Sequence, residues 1–311
     1  MDIRKITERL PYNRYCIITD KNVYKFYGKF FNEFKTIIQE PGEKLKTLSN
    51  IEKTAEKLTK LGLDRRSCLI AIGGGVIGDF TGFLASIYMR GIPYIQVPTT
   101  LLAMVDSSIG GKTGVNLKTG KNLIGTFYQP VLTLTNPETL KTLPVKELKN
   151  GIAESIKHAC IKSESLFEFL EKNHKKILAK DPATLNKLIV QSAAIKKKIT
   201  EEDEYEKNIR MLLNYGHTIG HAIEQASNYK ISHGEAVSIG IHQVNLLSKS
   251  PATKRIEKLL KLYGLPTETN SNKREIEKLM KTDKKKIGEK LRFIIVKKIG
   301  SAEVKELGSK K

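Results

Sequence analysis

The amino-acid sequence predicts an α/β domain followed by a mainly α-helical domain. In the first half of the chain, short β-branched runs alternate with helical patterns, and a glycine-rich loop follows one of these runs. Such alternation favours a parallel sheet covered by helices. Strand patterns nearly vanish from about residue 145 onward. We therefore expect domains over residues 1–145 and 146–311, with the cleft between them as the default site.

Four runs in the first half have the composition of strands. They are Tyr15–Asp20, Cys68–Ile72, Tyr94–Thr100 and the shorter Val131–Leu134. Between the first two, the segment LKTLSNIEKTAEKLTKLG has helical periodicity and stops at Gly62.

The second half consists mainly of helical patterns. DPATLNKLIVQSAAIKKKI opens with Asp181 as a cap and Pro182 in the first turn, and SPATKRIEKLLKLYGLP extends from Ser250 to Gly264. The segment LRFIIV near the end has the composition of one late strand.

Composition and charge restrict the class of protein. Apolar residues make up 40% and charged residues 28% of the chain, a globular balance. The net charge of +21 raises nucleic-acid binding as an alternative. The lysines, however, are scattered among glutamates on amphipathic patterns, without an aromatic stacking motif, zinc finger or basic arm. We therefore prefer a small anionic substrate and expect no nucleic-acid partner.

The sequence does not predict a membrane or secreted protein. No apolar run approaches the ~20 residues that a membrane span needs, and MDIRKITERLPYN lacks the apolar core of a signal peptide. Cys16, Cys68 and Cys160 are far apart and form no C-x-x-C pair. We interpret them as reduced core thiols of a cytoplasmic protein.

The glycine loop Gly73-x-Gly75-x-x-Gly78 follows a predicted strand and precedes a run compatible with a helix. This is the context of a dinucleotide-binding loop, in which glycines let the backbone approach a pyrophosphate at a helix N-terminus. The acidic residue expected about 20 positions later is absent, and Asp20, which closes the preceding strand, could bind the ribose instead. A plain tight turn is the alternative.

A group of histidines and a glutamate indicates a metal site in the helical domain. His217 and His221 lie four residues apart in GHTIGHAIE, so both project from one face of a helix. His233 follows after a short loop, and Glu154 lies at the predicted start of a helix, with Lys157 one turn later. Two imidazoles and a carboxylate leave a tetrahedral metal at least one open position, as catalysis requires.

The alternative is that the histidines are ordinary core or capping residues. We prefer this interpretation for His158, His174 and His242.

The segment Asp106–Pro130 is rich in glycine and in polar side chains. The polar residues are Asp106, Lys112, Asn116, Lys121 and Asn122. Lysines flanked by glycines suit the close approach of an anion, because ammonium and backbone N–H groups can point to the same place. A flexible solvated loop is the alternative, but the apolar flanks VPTTLLAMV and LIGTF favour a segment packed into the protein.

Taken together, these motifs resemble the 3-dehydroquinate synthase family, the sugar-phosphate cyclases of the shikimate pathway and hence of aromatic amino acid biosynthesis. The segments that resemble it occur in the family's order: GGGVIGDFTGFLASIYMRGIPYIQVPTTLLAMVDSSIGGKTGVN, GKNLIGTFYQP, GIAESIKHA, LLNYGHTIGHAIE and HGEAVSIG. The resemblance extends from Thr19-Asp20 to Asp283–Lys285. Two departures are a short N-terminal region, which implies reduced sheet edges, and Asn136, where the family commonly carries an aspartate.

The resemblance implies an NAD-binding α/β domain, a helical metal- and substrate-binding domain, and one divalent metal, zinc or cobalt, held by Glu154, His217 and His233. It implies NAD contacts for Asp20, Asn22, Glu43, Lys46, Gly73, Gly74, Gly75, Val76, Gly78, Asp79, Thr99, Thr100, Leu102, Asp106, Lys121, Thr139 and Thr142. It implies substrate contacts for Lys112, Lys121, Asn122, Lys196, Arg210, Asn214, His221, Lys284 and Lys285. It implies catalytic roles for Asp106, Lys112, Lys157, Glu206 and His221. Arg90 is implied to reach the substrate phosphate of a neighbouring subunit in a homodimer.

The implied lyase reaction converts 3-deoxy-D-arabino-heptulosonate 7-phosphate into 3-dehydroquinate and phosphate. Its steps are transient oxidation by NAD, phosphate elimination, re-reduction and intramolecular aldol closure. We assign Lys196, Arg210 and Asn214 to the substrate carboxylate, and Asp106 and Lys157 to the hydroxyls at the metal. The phosphate is assigned to Lys112, Asn122, His221, Arg90 and a lysine of the pair Lys284 and Lys285. Repulsion among these cations predicts closure of the two domains on the substrate.

Two enzymatic alternatives remain. Another sugar-phosphate cyclase would make an inosose or valiolone from a substrate without the carboxylate, and would leave the charges of Lys196 and Arg210 without a substrate partner. An NAD- and metal-dependent polyol dehydrogenase would release NADH and has no need for so many phosphate-binding lysines.

Overall fold

The computed structural model of the chain describes residues 3–272, 274–276, 278–279 and 292–306, which divide into two units, Met1–Leu143 and Pro144–Lys311. The predicted substrate residues Lys284 and Lys285 lie outside the described residues. None of the described helices combines the length and the apolar composition that a membrane crossing requires.

The first unit is an α/β unit around a parallel sheet. Its strands are β1 (Arg14–Asp20), β2 (Lys35–Gln39), β3 (Ser67–Gly73), β4 (Tyr94–Pro98), β5 (Lys112–Leu117), β6 (Gly120–Phe127) and β7 (Leu132–Thr133). Its helices are α1 (Ile3–Thr7), α2 (Lys21–Tyr27), α3 (Leu48–Lys60) and α4 (Gly75–Ile87). Five strands form the parallel sheet in the order β2-β1-β3-β4-β7, and β5 and β6 form a separate antiparallel hairpin.

The central strand β3 is buried along its whole length. Its alternate residues enter two different cores: Leu69 and Ala71 pack with Phe80 of α4, whereas Ile70 packs on the other face with Ile17 of β1. An apolar run without polar alternation is what a parallel strand needs when both faces are covered. The α/β class predicted for the first half is therefore confirmed.

Two predictions for the first unit were incomplete. The edge strand β2 was not predicted, and β7 has only two of the four residues expected at Val131–Leu134.

The glycine-rich segment Asp106–Pro130 is largely the β5–β6 hairpin, in which Gly114 lies opposite Gly125. A Cβ on Gly125 would stand 2.1 Å from the Thr113 carbonyl oxygen, so this glycine permits close strand approach rather than a turn. Strand β5 is largely buried and β6 largely exposed, so only half of the segment is packed inside.

The second unit is mainly helical, as predicted. Its helices are α5 (Val145–Lys162), α6 (Glu164–Leu178), α7 (Pro182–Glu202), α8 (His217–Ala226), α9 (His233–Ser248) and α10 (Thr253–Leu262). Two strands, β8 (Arg292–Lys298) and β9 (Ser301–Glu306), form an antiparallel hairpin. The late strand predicted at LRFIIV is confirmed as β8, whereas its partner β9 was not predicted.

Helix α7 begins as the sequence predicts. The Asp181 carboxylate accepts a hydrogen bond from the Thr184 amide at 2.9 Å, and Pro182 occupies the first turn. Proline at this position loses no hydrogen bond, because the first amides of a helix have no intrahelical acceptor.

Helices α8 and α9 approach each other at three glycines. A Cβ on Gly240 of α9 would lie 2.0 Å from the carbonyl oxygen of Gly216 and 2.9 Å from the amide nitrogen of Gly220. Gly216 has φ +78°, a left-handed conformation, and immediately precedes His217. The two helix backbones are therefore in contact beside the first residue of α8.

We expect Gly240→Ala to lower the free energy of unfolding by about 1–3 kcal/mol, because the added methyl group forces backbone atoms apart. Urea unfolding followed by circular dichroism measures this loss. Leu247→Ala in the same helix is the matched control, since Leu247 is 62% exposed and its truncation should cost within about 0.5 kcal/mol. Equal stability of the two variants would show that the glycine contact does not constrain α8 and α9.

Candidate metal and nucleotide sites

The predicted metal ligands of the second unit converge in space. Glu154 projects from α5, His217 is the first residue of α8 and His233 is the first residue of α9. One ligand atom from each lies within 4.8 Å of the others. The Nε2 atoms of His217 and His233 are 3.5 and 3.3 Å from Glu154 Oε1.

These distances fit a shared metal. Tetrahedral zinc with bonds of about 2.0–2.1 Å places its ligand atoms about 3.3 Å apart. Glu154 is completely buried; its Oε2 contacts the Lys157 ammonium, and its Oε1 faces the Nε2 atoms of the two histidines. One buried carboxylate oxygen facing two imidazole nitrogens is a donor set that fits a divalent metal such as zinc.

Local packing places these ligands. Glu154 lies in the third turn of α5 rather than at the helix start, which corrects the prediction. The Gly234 amide donates to Asn150 Oδ1 at 3.0 Å, and a Cβ on Gly234 would stand 2.5 Å from the Asn150 Cα. The first turn of α9 therefore rests directly on α5, one turn before Glu154.

The charge state of Glu154 is set by its neighbours. Burial opposes its ionisation, but the Lys157 ammonium in contact with Oε2, followed by the two imidazoles, holds the pKa of the carboxyl well below its ordinary value. Burial and the same ammonium lower the pKa of His217 well below its ordinary value. A neutral imidazole beside an ionised carboxylate is the ligand state that a metal requires.

His233 stands between two carboxylates. Burial opposes its protonation, but Glu154 and Glu224 raise the pKa of its imidazole to about 10. The position thus favours a positive charge, which a metal bound to Nε2 would supply in place of a proton.

The second ring nitrogen of each histidine ligand also faces an acceptor. Nδ1 of His217 lies 3.2 Å from the Tyr215 carbonyl oxygen, and Nδ1 of His233 lies 3.4 Å from Glu224 Oε2. These acceptors favour the proton on Nδ1 and leave the Nε2 lone pair for the metal. Glu224 was missed by sequence reasoning; the only available signal was the glutamate that ends GHTIGHAIE.

The predicted substrate and catalytic residues of the second unit lie in three different surroundings. His221 is exposed beside the ligands, its ring centroid 5.2 Å from that of His217. Asn214 and Glu206 are joined by a hydrogen bond of 2.7 Å from Asn214 Nδ2 to Glu206 Oε1. Lys196 on α7 and Arg210 before α8 are both buried.

In the first unit, the predicted glycine loop connects the carboxyl end of β3 to α4. The Thr99 amide donates to the Gly73 carbonyl oxygen at 2.9 Å, and a Cβ on Gly74 would lie 3.0 Å from Thr100 Cγ2. Gly74 is the N-cap of α4 and provides no side-chain cap to its first amides. Open amides and close backbone approach at the end of a parallel strand fit a pyrophosphate.

Lys46 connects several of the predicted NAD and substrate residues. It is 3% exposed, and its ammonium donates to Asp79 Oδ2 at 2.6 Å and to Asn122 Oδ1 at 2.5 Å. Glu43 Oε1 lies 3.7 Å from the same nitrogen. Asn116 donates to Glu43 Oε1 at 2.8 Å and accepts from the Asn122 amide at 2.8 Å, so the hairpin joins this cluster.

A second cluster lies around α2. Asp20 Oδ1 accepts from the Val23 amide at 3.0 Å and so caps the helix, which leaves its other oxygen for a ribose hydroxyl. Tyr27 of the same helix donates to the Thr139 carbonyl oxygen at 3.1 Å and lies 2.7 Å from the Thr142 hydroxyl. Asn22 lies in the first turn and is exposed.

Four other predicted residues of the first unit lie on other elements: Arg90, Asp106, Lys112 and Lys121. Arg90 is exposed beyond α4 with φ +69°. Lys112 and Lys121 are exposed on the β5–β6 hairpin, and Asp106 lies in a helical turn, Ala103–Ser107. Their substrate and catalytic roles stay predictions.

Similarity to known proteins defines the class. Over 98% of this chain and 89% of the other, the structure superposes on the 2-epi-5-epi-valiolone synthase of Streptomyces hygroscopicus subsp. jinggangensis, solved with NAD+ and Zn2+, with a TM-score of 0.91 and 26% identity. A 2-deoxy-scyllo-inosose synthase complexed with carbaglucose-6-phosphate, NAD+ and Co2+ matches with a TM-score of 0.87 and 29% identity, over 97% of this chain and 88% of the other. The fold is that of the sugar-phosphate cyclases.

Sequence similarity is more specific. The family models for the 3-dehydroquinate synthase N-terminal and C-terminal domains match residues 36–150 and 151–286. The 3-dehydroquinate synthase of Dictyoglomus thermophilum is 47% identical over 299 residues, which cover 93% of this chain and 84% of that protein. The chain belongs to the 3-dehydroquinate synthase family, and the predicted resemblance is confirmed.

We expect Glu154→Gln to weaken metal binding by more than about 100-fold, beyond the 10–100-fold typical of residues outside the ligand set. The glutamine amide is neutral, so the variant lacks the negative charge that balances the bound cation. The measurement is titration of chelator-treated protein with Co2+, followed by visible absorption, and metal analysis after dialysis. Glu168→Gln, a partly exposed carboxylate of α6, is the matched control and should bind as wild type. Full metal content in the Glu154 variant would remove this residue from the ligand set.

Proposed function

We propose that this chain catalyses the 3-dehydroquinate synthase reaction, converting 3-deoxy-D-arabino-heptulosonate 7-phosphate into 3-dehydroquinate and phosphate. The observation that carries the proposal is the match of both family domains, because together they span the glycine loop, the hairpin and the three metal ligands. NAD and one divalent metal, zinc or cobalt, are the cofactors. When bound, NAD supplies a recycled hydride acceptor, and the metal lowers the pKa of substrate hydroxyls.

Glu154, His217 and His233 would hold the metal. The acceptors at the two Nδ1 atoms, the Tyr215 carbonyl oxygen and Glu224, would fix the imidazoles. The Lys157 ammonium touches Glu154. It would orient a substrate hydroxyl at the metal or exchange a proton with it. In the first unit, the Gly73–Asp79 loop and the Lys46 cluster would bind NAD. Asp106 would contact the same substrate hydroxyls; this assignment comes from the family resemblance.

The anionic ends of the substrate call for cations. Lys196 and Arg210 are 8% and 2% exposed, and a substrate carboxylate would complement their charges. Asn214 would contribute its amide beside them. The phosphate is assigned to Lys112, Asn122 and His221, with Arg90 from a neighbouring subunit and Lys284 or Lys285.

A second candidate function is favoured by one observation. Two of the solved structures that superpose well are those of a valiolone synthase and an inosose synthase, so the fold alone permits a cyclase for a substrate without the carboxylate. Identity of 47% to a 3-dehydroquinate synthase, against 26% and 29% to these enzymes, favours the first candidate. Buried Lys196 and Arg210 favour it as well.

The protein is proposed to act in the cytoplasm as a homodimer. Its three cysteines are free and buried, and burial raises the pKa of the Cys16 thiol to about 12. Such thiols are suited to a reducing compartment. The dimer rests on the Arg90 assignment.

Wild-type protein supplied with the heptulosonate phosphate, NAD and Co2+ or Zn2+ is expected to release phosphate without net accumulation of NADH, because the hydride is returned in each cycle. Malachite-green phosphate detection and absorbance at the NADH band measure the two quantities together. Steady NADH accumulation would instead indicate a dehydrogenase. Turnover of a sugar phosphate without the carboxylate, with none of the heptulosonate phosphate, would indicate the second candidate.

If Arg90 acts in a neighbouring subunit, two inactive variants should complement each other. A mixed dimer of Arg90→Ala and Glu154→Gln has one complete site, so refolding an equal mixture should restore about a quarter of wild-type activity. Each variant refolded alone is the control. If Arg90 served its own subunit, the mixture would stay as inactive as the separate variants.

A further inference from the structure

A loop over residues 203–216 joins α7 to α8 and carries three residues that the proposed function uses. These are Glu206, Arg210 and Asn214. The loop begins at Asp203, the C-cap of α7, whose amide donates to the Ile199 carbonyl oxygen. Asp203 is 9% exposed, and neither sequence reasoning nor the proposed function assigned it a role.

The Asp203 carboxylate collects three backbone amides of this loop. Oδ1 accepts from the Lys207 amide at 2.9 Å, while Oδ2 accepts from the Asn208 amide at 2.7 Å and from the Arg210 amide at 3.1 Å. Because three amides within residues 207–210 donate to the same carboxylate, the chain there is folded back on Asp203. One side chain therefore sets the backbone path up to Arg210.

The loop has an uncommon conformation that needs such a restraint. Glu206 has φ +59°, a left-handed conformation that costs a non-glycine residue free energy. Its carboxylate accepts from Asn214 at 2.7 Å, and the Arg210 guanidinium donates to the Glu204 carbonyl oxygen. Both of these contacts depend on the path that Asp203 imposes.

We propose that Asp203 is a positioning residue that shapes this loop so that Arg210 and Asn214 are preset for the substrate carboxylate. The inference rests on the proposed function for the identity of that ligand. Asp203 itself touches backbone amides, and it acts through Arg210 and Asn214.

The chemistry requires an ionised aspartate. Three N–H donors need acceptor lone pairs at both oxygens, and an asparagine would offer one oxygen and one NH2 group, which opposes an incoming N–H. Burial acts against ionisation, yet the backbone hydrogen bonds from Lys207, Asn208 and Arg210 lower the pKa of Asp203 below its ordinary value. The carboxylate is thus ready to accept all three bonds at neutral pH.

The test compares Asp203→Asn with Asp181→Asn. Asp181 caps the other end of the same helix by accepting the Thr184 amide, so the control makes the same substitution in the same kind of contact, far along α7 from the loop. Wild type and both variants are loaded with Co2+ and NAD. Hydrogen exchange of peptides covering residues 204–214, metal content, KM for the heptulosonate phosphate and kcat are measured.

For Asp203→Asn we expect faster exchange at the amides of 207, 208 and 210, unchanged metal content, and a rise in KM of about tenfold, the loss of about one charge-assisted hydrogen bond. We expect kcat to change by less than KM. Asp181→Asn should leave both the loop exchange and KM as in wild type. Asp203→Glu, which keeps two oxygens and the charge, should have a KM between those of wild type and the asparagine variant.

Unchanged KM or unchanged loop exchange in Asp203→Asn would overturn the inference, as would an equal effect of Asp181→Asn. If Asp203→Asn does not fold, Asp203→Glu decides by the same two readouts. A wild-type enzyme that does not turn over the heptulosonate phosphate would instead contradict the proposed function. In that case the loop exchange still decides whether Asp203 shapes the loop.

Discussion

The buried carboxylate of Glu154 is the interaction on which the organisation of the second unit depends. A carboxylate without exposed surface stays ionised only when cations or donors surround it. Lys157 on the same helix supplies one charge, and His217 and His233 arrive from two other helices. The packing of α5, α8 and α9 is therefore also the assembly of the metal site.

That packing is achieved with glycine. Gly240 lets α9 touch the backbone of α8, and Gly234 lets the start of α9 touch α5. Each contact lies within a turn of a histidine ligand, so a small displacement of either helix would move an imidazole by a comparable distance. The first unit follows another rule: the parallel strands β1, β3 and β4 all end where the predicted NAD residues begin, because the carboxyl ends of parallel strands meet at one edge.

The sequence predicts elements and ligands well where the pattern is local. Helical spacing placed His217 and His221 on one face, and β-branched runs predicted β1, β3 and β4. Spacing could not decide which histidines bind metal; the family resemblance made that choice. Strand β2 was missed because it has five residues and buries Ile37 alone, so it lacks the period-two burial of a strand. The β5–β6 hairpin was missed because glycines that permit strand contact look like turn residues.

Glu224 and Asp203 were missed for a different reason. Glu224 contacts the Nδ1 of His233, and Asp203 accepts hydrogen bonds from backbone amides of the loop before α8. Such contacts depend on how the chain folds in three dimensions, and residue spacing does not encode them.

Three of the predicted substrate and catalytic residues, Arg90, Asn122 and Glu206, share a backbone with positive φ. Asparagine adopts this conformation readily, whereas arginine and glutamate pay roughly 1–3 kcal/mol for it. Their surroundings must stabilise it: Asn116 accepts from the amide of Asn122, and Asn214 donates to the side chain of Glu206. The positive φ turns each of these side chains in a direction that a relaxed backbone would not give it. A side chain that is held in one direction before a substrate binds loses less conformational entropy when it makes its contact.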